Sequence, residues 1–300
     1  MVWEKKAIGH PLDMNLRVHA IILALNEEVF IANQLRTLYP FCSGISVLTQ
    51  YDRDWYGKAV VPDGTMRNVA SYPDPEGKIH LVVRRWPDEA AARNSELIAL
   101  AARPDRGIMS HGSPMDRISD FHEAPDYFLV VDADELYDPE TMPRILEYLA
   151  RKKPRGMRVH GFNYLHTWNR RVPRDVVRFC QFGFIRPGIR FKMRRTISWN
   201  ESRVAKFLRM MRLPDISARL WGFEECPPEV GVFHHGCWIG SRARLAEKAT
   251  RSSHQENNSP TYAEDVSRYP TEFVPTSQLP ASIRQAEWPP EFFDDETPQP

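Results

Sequence analysis

Residues 128–139 read FLVVDADELYDP: an apolar run ends on Asp132 and Asp134, one alanine apart, with Glu135 directly behind them. Phe128 to Val131 has the length and β-branched content of a buried strand, so the two aspartates close its C-terminal end. Positions i and i+2 of a strand face the same side, which lets both carboxylates project toward one point. Two like charges held that close need compensation. A hard divalent cation supplies it, and Mg²⁺ typically uses one or two carboxylates together with substrate phosphates. The same residues can also form a solvated acidic turn in which Asp138 caps a helix beginning at Pro139. Both readings stand on this stretch alone.

The elements around it decide where such a turn would sit. RVHAIILAL (17–25) has the pattern of a buried strand, and the helix after it carries apolar residues at helical spacing in Phe30, Ile31, Leu35 and Leu38. GISVLTQ (44–50) and KIHLVVRRW (78–86) supply two further strands, PDEAAARNSELIALAARP a helix begun by Pro87, and 139–152 another helix. Strands alternating with helices predict a doubly wound, mainly parallel sheet flanked by helices. Ligands of such sheets bind at the carboxyl ends of the strands. Those ends carry NEE (26–28), YDRD (51–54), Arg85 and DADE (132–135). The second half is less regular: short strands in GMRVHGFNYLH and CQFGFIRP, a helix at about 202–212, then a strand, two histidines and a helix within 231–254. From 257 to 300 Pro, Ser and acids accumulate around Trp288, Phe292 and Phe293, which predicts an irregular tail draped over the body.

A chain of 300 residues with 42% hydrophobic content can build one sizeable α/β domain. Its net charge of +1 gives no global field for nucleic acid or membrane. Basic residues concentrate in 151–212, a stretch that could meet a phosphorylated ligand or anionic lipid or be a solvated face. Cys42, Cys180, Cys226 and Cys237 form no CxxC pair, so reduced thiols and a cytoplasmic setting are expected. No apolar leader and no uninterrupted apolar window of about 18 residues is present.

Three islands, taken in order, resemble the nucleotide-sugar-dependent glycosyltransferases of the GT-A fold, most closely the family 2 type. AIILALNEEVFIANQLRTL is similar to that family's first strand and helix, EAAARNSELIALA to its Ala-Arg-Asn helix, and FLVVDADE to its DxD motif. HHGCWIGSRARLAEKATRSSH is similar to a C-terminal pattern of some relatives in His235, Trp238, Ser241, Lys248 and His254. TQYDRDWYG departs from the Asp-rich, Ser-containing turn usual after the second strand.

The resemblance implies a single catalytic domain over 1–256, with a nucleotide-binding half at about 17–152 and an acceptor half at 153–256. It also implies a Mn²⁺ or Mg²⁺ ion, a nucleoside-diphosphate sugar as donor, and a glycan, lipid-linked or other hydroxyl acceptor, as in polysaccharide biosynthesis. Asp134 would bind the metal directly, Asp132 would contact the ribose or reach the metal through water, and His235 would be a further metal ligand. Asn26 and Glu28 would lie beside the base or ribose, Asp52 or Asp54 would contact the base, Arg93 would lie beside the base or diphosphate, and Lys248 on the diphosphate. Glu224 or Glu225 would serve as the catalytic base. Each has a plainer role as well: a core histidine for His235, an N-cap for Asn26, surface residues for Arg93 and Lys248, a solvated loop pair for the two glutamates. Being in a strand, His234 should point away from His235.

Two other readings keep the fold. A sugar-phosphate nucleotidyltransferase would want a glycine-rich loop after the first strand, and LALNEEVF has none. A catalytically silent nucleotide-binding subunit is compatible with the atypical TQYDRDWYG turn. Acceptor contacts are expected in the basic, aromatic segment 158–212, Arg194 and Arg195 included; a lipid-linked acceptor would bring the protein to the inner face of a membrane.

Overall fold

The computed structural model describes residues 16–55, 57–102, 124–186, 189–193, 196–198, 222–241, 244–246, 248 and 269–294, with the backbone alone at 174–180, 193, 196–198 and 237. The expected helix at 202–212, and Arg194, Arg195 and His254, lie outside these residues.

The first half alternates as β1 (Val18–Leu23), α1 (Glu28–Leu38), β2 (Gly44–Thr49), α2 (Thr65–Ala70), β3 (Ile79–Val83), α3 (Glu89–Ala101) and β4 (Tyr127–Asp132). It continues through β5 (Glu135–Tyr137), α4 (Met142–Lys152), β6 (Gly156–His166) and β7 (Arg170–Phe184) to β8 (Arg190–Met193), β9 (Thr196–Ser198), β10 (Phe223–Glu225), β11 (Val232–Ile239), β12 (Glu272–Phe273) and α5 (Ala281–Arg284). One mixed sheet runs in the order β3-β2-β1-β4-β7-β6-β11-β5, with β10 on β6 and β12 on β7. The strands from β3 to β4 are mutually parallel, β7 is antiparallel to both β4 and β6, and β11 is again parallel to β6. The architecture is therefore the expected α/β sheet, parallel at its nucleus and flanked by helices.

Strand periodicity explains how that nucleus is buried on both faces. Ala20 and Ile22 of β1, with Leu129 and Val131 of β4, enter one cluster with Phe30, Ile31, Leu35 and Leu38 of α1 and Met142 and Ile145 of α4. Ile21, Leu23, Phe128 and Val130 enter a second with Leu97 and Leu100 of α3. The helix starts differ from expectation. Asp88, whose side chain accepts from Ala91 N, caps α3, so Pro87 precedes the helix rather than opening it. The residue at the N-cap of α4 is Thr141; Asp138 lies earlier and receives the amides of Glu140 and Ala281 instead. Glu27, not Asn26, stands at the N-cap of α1.

The 269–294 stretch is mostly irregular but built into the body. β12 pairs with β7, Ile283 and Phe292 are buried, and Trp288 and Phe292 close an aromatic cluster with Phe30 and Trp168. Cys42 and Cys226 are buried free thiols. Among the described residues no helix is long and apolar enough to cross a membrane.

Candidate functional site

β1 lies between β2 and β4, so the connections diverge at the β1/β4 boundary. Such a switch point opens a crevice beyond the carboxyl ends of the two strands. Glu27 follows β1 there, and Asp132 and Asp134 follow β4.

The two aspartates do not converge. β4 ends at Asp132, and Ala133–Asp134 form a turn into β5, which leaves β4 and pairs with β11. The i, i+2 rule applies only while the chain stays in the pleat, and here it stops one residue too early. The turn is tied from three sides: Ala133 N donates to Leu23 O, Asp132 N to the Glu135 carboxylate, and Gly236 N to Asp134 O. Asp132 faces Arg93, whose Nη2 donates to its Oδ1 at 3.0 Å while Nη1 reaches Glu89 at 3.2 Å. That guanidinium is buried, not the surface group of an ordinary helix arginine.

Asp134 faces a different set of groups. Lys248 Nζ donates to its Oδ2 at 2.5 Å, and His235 Nε2 stands 3.5 Å from its Oδ1. Lys248 also lies 3.7 Å from Glu27, which Arg244 holds at 3.0 Å. Burial pushes the Asp134 carboxyl up, but the Lys248 ammonium and His235 outweigh it and hold it well below the usual carboxylate range. Burial dominates at Glu27 and raises its pKa, Lys248 and Arg244 pulling the other way. His235 and His234 point oppositely, as expected of strand neighbours. His234 meets Tyr164 and stacks on Phe162; burial, aided by nearby Arg171, pushes its pKa down to about 3, so it is neutral. It is a core histidine.

Asn163 orients the His235 ring. Its Oδ1 lies 2.9 Å from His235 Nδ1, the hydrogen bond of an Nδ1–H tautomer. In the neutral imidazole the lone pair is then on Nε2, facing a carboxylate oxygen, whereas the imidazolium donates to it. Two electron-rich atoms 3.5 Å apart suit a shared cation with ligand bonds of about 2.1 Å. Among the described residues no group of three His, Cys, Asp or Glu is placed to hold a metal ion. Asp134 and His235 thus fit a two-donor site that leaves other positions to water and a phosphorylated ligand, the habit of Mg²⁺-like ions.

The other expected residues are more dispersed. Asn26 adopts a left-handed φ of 55°, and its amide donates to Val61 O. Glu28 accepts from Gly64 N and pairs with Arg67, so both residues fix the 61–67 loop beside the crevice. Asp54 is fully buried and accepts from Lys58 N within a tight turn. Asp52, more exposed, pairs with Arg85 at the ends of β2 and β3. Glu225 lies 2.8 Å from His160, and the structure does not bring it to Asp134. It pairs with Arg158 of β6 whereas His235 pairs with Asn163, five positions along, or roughly 17 Å at strand rise. Glu224 is one position farther still.

Glu27, Arg244 and Asn163 belong to the cluster but were not anticipated. Arg244 and Lys248 carried a signal, being four residues apart and so on one helical face.

No family model and no curated protein matches the chain. Among solved structures it is similar to S. aureus TarS 1–349, at 11% identity and TM-score 0.38, over 84% of this chain and 69% of that one. It is also similar to glucosyl-3-phosphoglycerate synthase from Mycobacterium tuberculosis in complex with Mn²⁺, uridine diphosphate and glucosyl-3-phosphoglycerate, at 14% identity and TM-score 0.28. That match covers 50% of this chain and 44% of the synthase, under half its length. At such scores neither neighbour bears on the activity of this chain.

Proposed function

We propose that the chain is a metal-dependent glycosyltransferase of GT-A type, moving a sugar from a nucleoside-diphosphate sugar to a hydroxyl acceptor, glycan or lipid-linked. One observation carries the reading: Asp134 faces His235 and shares Lys248 with Glu27 at the β1/β4 switch point, where a sheet of this kind receives nucleotides. Asp134 and His235 would hold Mn²⁺ or Mg²⁺, which neutralises charge gathering on the departing diphosphate. Asn163 orients His235 for this task. Lys248 offers the diphosphate a mobile ammonium, and Arg93 holds the Asp132 carboxylate at the rim for a ribose hydroxyl. Asp52 and Arg85, at neighbouring strand ends, would meet the base. The hairpin of β8 and β9, docked on α3 through Asn94 and Phe191, lies on the Arg93 side and suits acceptor contacts. With a lipid-linked acceptor the protein would work at the cytoplasmic face of a membrane.

Calorimetric titration of uridine and guanosine diphosphates, with and without Mn²⁺, tests the reading on wild type and Asp134→Asn. Metal-dependent binding that the substitution abolishes is expected; metal-independent binding unchanged by Asp134→Asn refutes it. A second reading, a nucleotide-binding subunit without transfer activity, draws on the distance of Glu224 and Glu225 from the cluster. Metal-dependent nucleotide binding with neither donor hydrolysis nor transfer would favour it.

A further inference from the structure

Asp134 and Glu27 share Lys248, yet their dependence on it differs. Glu27 has a second cation, Arg244, which is itself anchored by donating to Ile239 O at 2.6 Å and by lying over the Phe30 ring. Removing Lys248 therefore leaves Glu27 paired. Asp134 has no second fixed cation among the described residues: apart from Lys248 it faces His235, which in its neutral form turns a lone pair toward it. With His235 neutral, a buried carboxylate in that position requires another cation, either Lys248 or a metal ion.

We infer that Lys248 is a displaceable placeholder for the divalent cation, so that metal and diphosphate enter as a coupled pair. The inference rests on the metal site proposed above. While Lys248 neutralises Asp134, an incoming ion must compete with a 2.5 Å charge-assisted hydrogen bond and meets an additional positive charge. A diphosphate changes the balance, because it offers Lys248 a new anionic partner as the ion takes over Asp134. Each ligand then raises the affinity of the other by the same factor, as linkage requires. Arg244 remains on Glu27 throughout while the lysine swings.

The test is a Mn²⁺ titration followed by electron paramagnetic resonance, without nucleotide and then with uridine diphosphate, on wild type, Lys248→Met and Asp134→Asn. Diphosphate chelates Mn²⁺ in its own right, so the nucleotide-free comparison decides. Lys248→Met should bind Mn²⁺ alone about tenfold more tightly than wild type, and the further gain from uridine diphosphate should be smaller than in wild type. Equal or weaker nucleotide-free binding by Lys248→Met overturns the placeholder, even if wild type binds Mn²⁺ with nucleotide and Asp134→Asn does not; the metal site itself would then stand. Absence of Mn²⁺ binding in wild type under every condition overturns both. Lys248→Gln, checked by circular dichroism, serves as the second variant should Lys248→Met fold poorly.

Discussion

Arg93→Met isolates a buried guanidinium at the crevice. The arginine side chain is 1% exposed and divides its two terminal nitrogens between Asp132, 39% exposed, and Glu89, 14% exposed. Methionine keeps an unbranched apolar stem and removes the guanidinium, whose Cζ lies 6.0 Å from the centre of the Phe191 ring, with its charge and hydrogen bonds. At an effective dielectric near 20, charges about 4 Å apart attract by roughly 4 kcal/mol, before the guanidinium's desolvation is subtracted. Breaking one side of a fully buried pair typically costs about 3–5 kcal/mol. Asp132 is too exposed for that figure, and water screens its share toward the roughly 0–1 kcal/mol of a surface pair. Glu89 is covered and contributes more. Relief of Arg93 Nε, buried without a hydrogen-bond partner among the described residues, acts in the opposite direction. The net expectation is a loss of about 2 kcal/mol.

Urea unfolding reads this as a lower midpoint at unchanged slope. A double-mutant cycle with Asp132→Asn should return a coupling of about 1 kcal/mol, since the residues touch. Wild-type stability for Arg93→Met, or a cycle that closes at zero, would refute the electrostatic argument and leave Arg93 a packing residue.

Two further outcomes follow from the same geometry. Asp74 receives Lys78 N and the Tyr39 hydroxyl on one oxygen and Ile79 N on the other; burial pushes its pKa up, but these hydrogen bonds prevail and hold it below 3.8. Its folded pKa being depressed, its contribution is full above about pH 4 and is lost as pH falls through the lower folded value. Asp74→Asn should cost about 1–2 kcal/mol at pH 7, the gap to wild type narrowing below pH 4 in urea titrations; a gap constant from pH 7 to 3 would sink the assignment. At Gly161 an added Cβ would lie 2.3 Å from the buried Phe233 ring, two residues from Asn163 on one strand and from His235 on the other. Gly161→Ala should therefore lose about 1–3 kcal/mol and weaken Mn²⁺-dependent nucleotide binding severalfold in calorimetry, whereas an unchanged urea midpoint would contradict the close contact.

The nucleus of the sheet was legible because its information is local. Alternating apolar runs and helical spacing name β1 to β4, α1 and α3 within about three residues, and parallel order follows from the helical crossovers. Sites built from long-range pairings were less legible. Nothing in DADE says that the strand stops at Asp132, because the reason is β11, which takes β5 away from β4 about a hundred residues later in the chain. The same pairing turns Asp134 toward His235 and leaves Asp132 to Arg93. In NEE the middle residue enters the cluster while its neighbours hold the 61–67 loop, a choice made by the left-handed turn at Asn26.

The aromatic residues of the 269–294 stretch show a similar limit. Their spacing has no helical or strand period, yet Trp288 and Phe292 sit on Phe30, the ring over which Arg244 lies. That contact connects the end of the chain to the cluster in steps: Phe292 and Trp288 pack Phe30, Phe30 supports Arg244, and Arg244 keeps Glu27 neutralised when Lys248 is drawn away. A residue read as part of a draped tail therefore contributes to the electrostatics of a crevice it does not line. The physical reason is that a buried carboxylate such as Glu27 needs its cation held in place, and a guanidinium is held by what lies beneath it.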